Sequence, residues 1–193
     1  MIRIAVVGHL ARTSGDFFLS DMPGGAGRMD ILCRCINAAF FLSHGLRREI
    51  ECYLVLCGPP SPPKIVRFSG ASLRSLNPDE RSAGALIKKA LGLPVGSEFR
   101  ESTPGVAVRR GGLPDLVAMF PFAVLDEGGR DIRASPRLPE GFLLSDHLDF
   151  SPEERAILGE REMLSVGPVT LHADHAIVVL LNEIDRRRAG WTS

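Results

Sequence analysis

Apolar residues in this chain fall in short blocks separated by polar, Gly-rich and Pro-rich stretches, and the blocks alternate between two periods. Ile2 to Gly8 is a nearly continuous apolar run rich in β-branched residues, which predicts a strand buried on both faces. From about Arg28 to Ser43, the positions Ile31, Leu32, Cys35, Ala38, Ala39 and Leu42 repeat at the spacing of one buried helix face, and Gly45 stops the pattern. Cys52 to Leu56 and Ile65 to Phe68 predict two further strands, separated by a stiff turn from Gly58 to Pro63 that no helix could cross. Asn77-Pro78-Asp79-Glu80 has the chemistry of a helix start, with Asn as the cap, and that helix runs to about Leu91. Val106 to Gly111 predicts a strand ending in paired arginines, Leu113 to Met119 a short helix, Phe122 to Leu125 a strand, and Asp126 to Arg130 a turn. Gly141 to Leu144 is a further buried strand, and Ser151-Pro152-Glu153-Glu154 repeats the capped helix start. From Leu164 a β-rich triplet breaks at Gly167-Pro168, and the chain then enters a long apolar helix pattern that ends in Asp185 and Arg186 to Arg188.

Strands alternate with helices throughout, so the fold class is α/β, with a mainly parallel sheet flanked by helices. Open sheets of this kind bind ligands in the loops between a strand end and a helix start, where backbone N–H groups lack partners. Residues 166 to 172 are such a loop. Gly167 allows close backbone approach, while Pro168 cannot donate a hydrogen bond and holds the loop open. The same residues also suit an ordinary strand-turn-helix connection.

With 193 residues and 45% hydrophobic content, residues 1 to 193 suit one compact domain. The longest apolar runs are too short or too interrupted to cross a bilayer, and Met1-Ile2-Arg3-Ile4 leads straight into a strand pattern, which points to a cytoplasmic protein without membrane attachment. Cys33, Cys35, Cys52 and Cys57 lack the spacing of a disulfide framework or a thiolate metal site and read as small core fillers. His147, His172 and His175, with Asp146 and Asp174, form no His-Glu-x-x-His pattern, so no metal is expected. The turn from Pro23 to Gly27 lacks the Lys-Ser/Thr of a phosphate-binding P-loop.

Net charge is zero, but its distribution is uneven. Residues 1 to 110 carry 15 Lys/Arg against 9 Asp/Glu, whereas residues 111 to 193 carry 8 against 14. Only Lys64, Lys88 and Lys89 among the 23 basic residues are lysine, and arginine is the better bidentate partner of phosphate. A basic N-terminal face for RNA is consistent with this, as is a general preference for arginine in the proteome.

Several segments in order carry a resemblance: Pro23-Gly24-Gly25-Ala26-Gly27-Arg28-Met29-Asp30, Phe40-Phe41-Leu42-Ser43-His44-Gly45, Asn77-Pro78-Asp79-Glu80-Arg81, Ser102-Thr103-Pro104-Gly105-Val106, Ser145-Asp146-His147, and the stretch from Leu164 to His175. From about residue 2 to about residue 187 the chain resembles the archaeal tRNA pseudouridine-54 N1-methyltransferase family, of the SPOUT class of S-adenosylmethionine-dependent RNA methyltransferases. The resemblance implies a C-terminal trefoil knot, a rare exception to unthreaded chains, built from Phe122 to Leu125, Gly141 to Leu144 and the final loop and helix. It implies that the knotted loops enclose S-adenosylmethionine, at positions matching Leu125, Ser145, Val166, Gly167, Pro168, Val169, Thr170, Leu171 and Ala176. Two of these depart from the family pattern, Ser145 standing where Gly is common and Ala176 where Cys is common. A Gly needed for positive φ would make Ser145 unfavourable.

The implied reaction is methylation of N1 of pseudouridine at position 54 in the tRNA T-loop. The nucleophile is an imide-like N–H, so the chemistry needs alignment, a route for one proton and donors for developing negative charge. Asp30 is the candidate for accepting or orienting that proton, with Arg28 and Arg34 holding base or phosphate; the competing reading gives Asp30 to the first helical turn and the arginines to solvent. Arg109 and Arg110, at a strand end, are further phosphate candidates. Family members are homodimers, and the apolar residues Ile177, Leu180, Leu181 and Ile184 of the final helix, or the knot, are the expected interface. Alternative expectations are N1-methylation of pseudouridine in small-subunit ribosomal RNA, and a homologue that binds RNA without turnover.

Overall fold

The alternation of patterns resolves into an eight-stranded sheet with helices on both faces. The computed structural model describes residues 1 to 191. In chain order it contains β1 (Ile2–Gly8), α1 (Met29–Phe40), β2 (Phe41–Leu42), β3 (Gly45–Leu46), β4 (Ile50–Leu56), β5 (Lys64–Ser69) and α2 (Glu80–Leu91). There follow β6 (Arg100–Thr103), β7 (Val106–Arg110), α3 (Leu113–Met119), β8 (Ala123–Asp131), a 3₁₀ turn (Ile132–Ala134), β9 (Gly141–Ser145), α4 (Pro152–Leu158), β10 (Met163–Ser165) and α5 (Ala173–Arg188).

The strand order is β10-β8-β9-β1-β4-β5-β7-β6. Every pair from β10 to β4 is parallel, and β5, β7 and β6 extend that edge antiparallel. β1 lies between β9 and β4, which explains its continuous apolar run. Its alternate residues feed two cores: Ile4 and Val6 join the layer of α1, α2 and α5, whereas Ala5 and Val7 join the layer of α3 and α4. Cys33, Cys35 and Cys52 are buried and unbridged, and Cys57 is half-buried.

Four expectations change. α1 stops at Phe40 rather than Ser43, because Phe41 turns extended and residues 41 to 46 close a two-stranded ladder. α2 is capped by Asp79 rather than Asn77: the Asp79 carboxylate accepts the Ser82 N–H at 2.7 Å, one turn in. The segment 126 to 130 is no simple turn but part of β8, whose pairing with β10 shifts register and resumes at Arg130 and Asp131. Finally, Ile177, Leu180, Leu181 and Ile184 are buried in the chain's own core against α1, so they offer no surface to a second copy. Periodicity marks α5's apolar stripe, but a buried stripe and a docking stripe have the same spacing.

Candidate active site

β9 stays paired with β1 through Ser145, opposite Val7, but β8 leaves β9 after Val124, opposite Leu143. The sheet therefore splits at the C-terminal ends of its parallel strands. A crevice of about 350 Å³ opens at the split, walled by β8, by residues 144 to 150 after β9, and by the loop from β10 into α5. This is the position at which open parallel sheets bind ligands. The loop contributes Val166, Gly167, Val169, Thr170 and Leu171 to the wall, and among the described residues the N–H groups of Val169, Thr170 and Leu171 have no hydrogen-bond acceptor. Gly167 donates to the Ser165 hydroxyl, and a Cβ added at Gly167 would meet nothing within 4 Å.

Of the nine positions expected to hold a cofactor, Leu125, Ser145, Val166, Gly167, Val169, Thr170, Leu171 and Ala176 line this crevice, while Pro168 points to solvent outside its wall. Ser145 has no positive φ, so a side chain is accommodated where Gly is common, and its hydroxyl donates to the Leu148 carbonyl. Ala176 lies one turn into α5, beside the crevice. The polar lining holds four carboxylates, Asp126, Glu127, Asp146 and Asp149, against one arginine, Arg155.

A second group of residues stands next to the crevice at the start of α1. Arg28 sets its Nε and one Nη 3.1 and 3.2 Å from the two oxygens of Asp30, and Arg34 adds an Nη at 3.0 Å. Arg34 also reaches Asp174, in the first turn of α5, at 3.7 Å and Glu80 at 3.4 Å. Burial pushes the Asp30 carboxyl up, but the hydrogen bonds from Arg28 and Arg34 outweigh it and hold Asp30 below the usual carboxylate range. Arg28 is the only described non-glycine residue with positive φ, at 63°. Its guanidinium lies within the field of Asp146 in the crevice wall.

Arg109 and Arg110 lie elsewhere. β7 is four strand spacings from β9, roughly 19 Å across the sheet. Arg110 is exposed and faces Lys64 across the β5–β7 pair, whereas Arg109 packs inward over Phe99 with Asp115 4.0 Å away. Because β5 and β7 each reverse direction, β7 runs the same way as β4, which puts Arg110 on the crevice's edge of the sheet. Lys64 is held below the usual lysine range by burial and then by Arg110. Neither Lys64 nor the Arg110 side chain has a polar partner among the described residues.

His9 is the residue that periodicity did not single out. It follows β1 directly, and its ring bridges Asp146 at 2.8 Å and Glu154 at 2.9 Å. The signal available was positional: a titratable side chain immediately after a central parallel strand, like Asp146 after β9. His172 and His175 stack edge to face, 5.7 Å between ring centres, and among the described residues no group of His, Cys, Asp and Glu has the arrangement of a metal site. Nor is any described helix long and apolar enough to cross a membrane.

Comparison with known proteins agrees with this geometry. A family model described as SAM-dependent RNA methyltransferase matches residues 1–189. A Methanocorpusculum labreanum protein named tRNA (pseudouridine(54)-N(1))-methyltransferase is 56% identical over 191 residues, covering 97% of this chain and 98% of its own. Proteins of the same name from Methanospirillum hungatei, 50% identical over 99% of this chain and 100% of theirs, and Haloferax volcanii, 44% identical over 96% of each, are also similar. Among solved structures, Archaeoglobus fulgidus Nep1 bound to S-adenosylhomocysteine superposes with a TM-score of 0.67 over 97% of this chain and 98% of that one. At 16% identity, that likeness is one of fold.

Proposed function

The chain belongs to the family of SAM-dependent RNA methyltransferases, and we propose from that membership and from the crevice that it methylates N1 of pseudouridine 54 in the T-loop of tRNA. The observation that carries the reading is the crevice itself, set at the end of parallel strands and lined by a loop with unpartnered backbone donors, in a chain about half identical along its length to enzymes of that name.

The residues present suit S-adenosylmethionine. Leu125, Val166 and Leu171 supply apolar surface for rings, the N–H groups of Val169 to Leu171 supply donors for heteroatoms and a carboxylate, and the acidic lining suits a ligand bearing sulfonium and ammonium charges. When bound, the cofactor supplies an electrophilic methyl group. The chain's own work is alignment and charge. We give Asp30 the orienting role of the two considered for it, because a carboxylate held below its ordinary pKa by two guanidiniums is a poor acceptor for an imide proton. Arg28, its side chain 38% exposed, is placed to meet the base or its phosphate, with Arg34 behind it locked to Asp30 and Asp174. Arg110 with Lys64 extends the RNA face along the same sheet edge, and Arg109 supports that edge from inside.

The trefoil knot and the homodimer of the SPOUT class are part of this proposal, as is one domain spanning residues 1 to 193 in the cytoplasm. Exposed Val169 and Val178, flanking the crevice loop, replace the buried stripe of α5 as the dimer surface. Sedimentation of a monomer at micromolar concentration would remove the dimer, and an experimental chain trace that unties would remove the knot.

Mass spectrometry of a tRNA transcript with uridine or pseudouridine at position 54, incubated with labelled S-adenosylmethionine, tests the reaction. Label on the pseudouridine substrate alone is expected. Label on neither, with the cofactor shown to bind, would overturn the substrate and leave the cofactor site standing.

A further inference from the structure

One charged cluster touches the crevice wall and has no part in the reaction as described. The His9 Nδ1 lies 2.8 Å from Asp146 Oδ1, its Nε2 lies 2.9 Å from Glu154 Oε2, and its backbone N–H donates to Asp146 Oδ2 at 3.1 Å. Three elements meet in this cluster. His9 ends β1; Asp146 follows β9, accepts the Leu148 N–H at 3.0 Å and so shapes the wall of residues 145 to 150; Glu154 accepts the Ser151 N–H at 2.8 Å and caps α4, whose Arg155 faces the crevice.

A neutral imidazole has one N–H and can donate to one carboxylate only. Both ring nitrogens here face carboxylate oxygens, which are acceptors when ionised, so the arrangement requires the imidazolium. The Asp146 side chain is 1% exposed and that of Glu154 16%, so without the cation one buried and one largely buried negative charge would face each other across the joint.

We propose that His9 is the positioning residue of the cofactor crevice: doubly protonated, it ties the wall after β9 and the start of α4 to the end of β1, and so holds the crevice in its binding shape. This rests on the reading of the crevice as the S-adenosylmethionine site. His9 acts through Asp146 and Glu154 and need not touch the cofactor.

The pairing has a pH signature. The hydrogen bond to Asp146, with burial opposing and Glu154 adding, raises His9 from 6.5 to about 9. A raised folded-state pKa means that the clamp's contribution is complete below about 6.5 and is lost as pH rises through about 9. The other groups facing the cluster are His147, with Nδ1 3.3 Å from Asp146 Oδ2, Arg28 from α1, and Cys57 from the end of β4. Burial first, then the same two carboxylates, push Cys57 up to about 11, so its titration lies above that of His9.

Calorimetric titration of S-adenosylhomocysteine into the wild type, His9→Ala and Glu154→Gln, from about pH 7 to about pH 10, tests this. The ligand's own amino group titrates alike in every experiment, so ratios of affinities isolate the protein. His9→Ala should bind about tenfold more weakly at neutral pH, and the wild type's advantage should shrink as pH rises through about 9. In Glu154→Gln the amide N–H can donate to the Nε2 of a neutral ring, so this variant should keep its affinity where the wild type loses it, and it carries the test if His9→Ala fails to fold. Equal affinities throughout, or ratios constant with pH, would overturn the clamp. A wild type that binds no S-adenosylhomocysteine would instead overturn the cofactor reading on which the clamp rests.

Discussion

Asp30 and Gly167 show how one residue's environment selects among the roles its chemistry allows. A carboxylate at the start of a helix can serve the helix dipole, take a proton or hold a base. Bidentate contact with Arg28 and a third bond from Arg34 favour the proposed role of orienting the proton over that of taking it. Asp30→Asn should therefore weaken tRNA binding and lower stability by about 2 kcal/mol, while the shape of the pH-rate profile stays that of the wild type. Loss of an acidic limb from that profile would restore Asp30 as the proton acceptor. At Gly167, where φ is not positive and no atom lies within 4 Å of an added Cβ, Gly→Ala should leave the thermal midpoint unchanged. If the backbone there packs against the cofactor, the same methyl group should weaken S-adenosylhomocysteine binding about tenfold, read by calorimetry. Unchanged affinity would place the ligand away from Gly167.

At the scale of elements, α5 links the crevice loop to the far side of the sheet. Its first turn carries Asp174 against Arg34, and its last turn carries Arg187, which donates to Glu183 and to the carbonyls of Ser135 and Ile132, each at 2.7 Å. One guanidinium thus satisfies a 7% exposed carboxylate and the carbonyls of the residue that opens the 3₁₀ turn and the residue that follows it. Arg187→Met keeps the aliphatic stem but leaves Glu183, among the described residues, with only Arg133 at 3.9 Å, and should cost about 2 to 3 kcal/mol in urea unfolding with an unchanged m-value. A denaturation midpoint equal to that of the wild type would show the fork to be replaceable by water.

Over the whole molecule, the first 110 residues are basic and the remainder acidic. On the edge of the sheet where the crevice opens, Arg28 and Arg34 stand next to it, and Lys64 and Arg110 lie farther along, at the β5–β7 end. RNA and a sulfonium cofactor carry opposite charge, so the proposed RNA face and cofactor site call for opposite surroundings. Lys64 and Arg110 are like charges placed opposite one another without an acidic partner among the described residues, an arrangement that an anion stabilises. Lys64→Ala and Arg110→Ala should each reduce the slope of log tRNA affinity against log salt by about one, with the cofactor affinity unaffected. Slopes equal to that of the wild type would move the RNA face off this edge.

The sequence by itself determined the α/β class, the buried central strand at Ile2–Gly8, the capped start at Ser151 and the loop of residues 166 to 172, because each is written in local periodicity or in the chemistry of a few adjacent residues. Its resemblance to a family singled out nine positions, eight of which meet in one crevice although they lie on three separate stretches of the chain. What only the tertiary structure decided is which distant groups share a field. His9 meets Glu154 145 positions away, two guanidiniums hold Asp30 below the usual carboxylate range, and α5 turns its apolar stripe inward against α1. Spacing along a chain encodes which side of an element is apolar, but hydrogen bonding and electrostatics fall off over a few ångströms of space, and those distances exist only once the strands are ordered in the sheet.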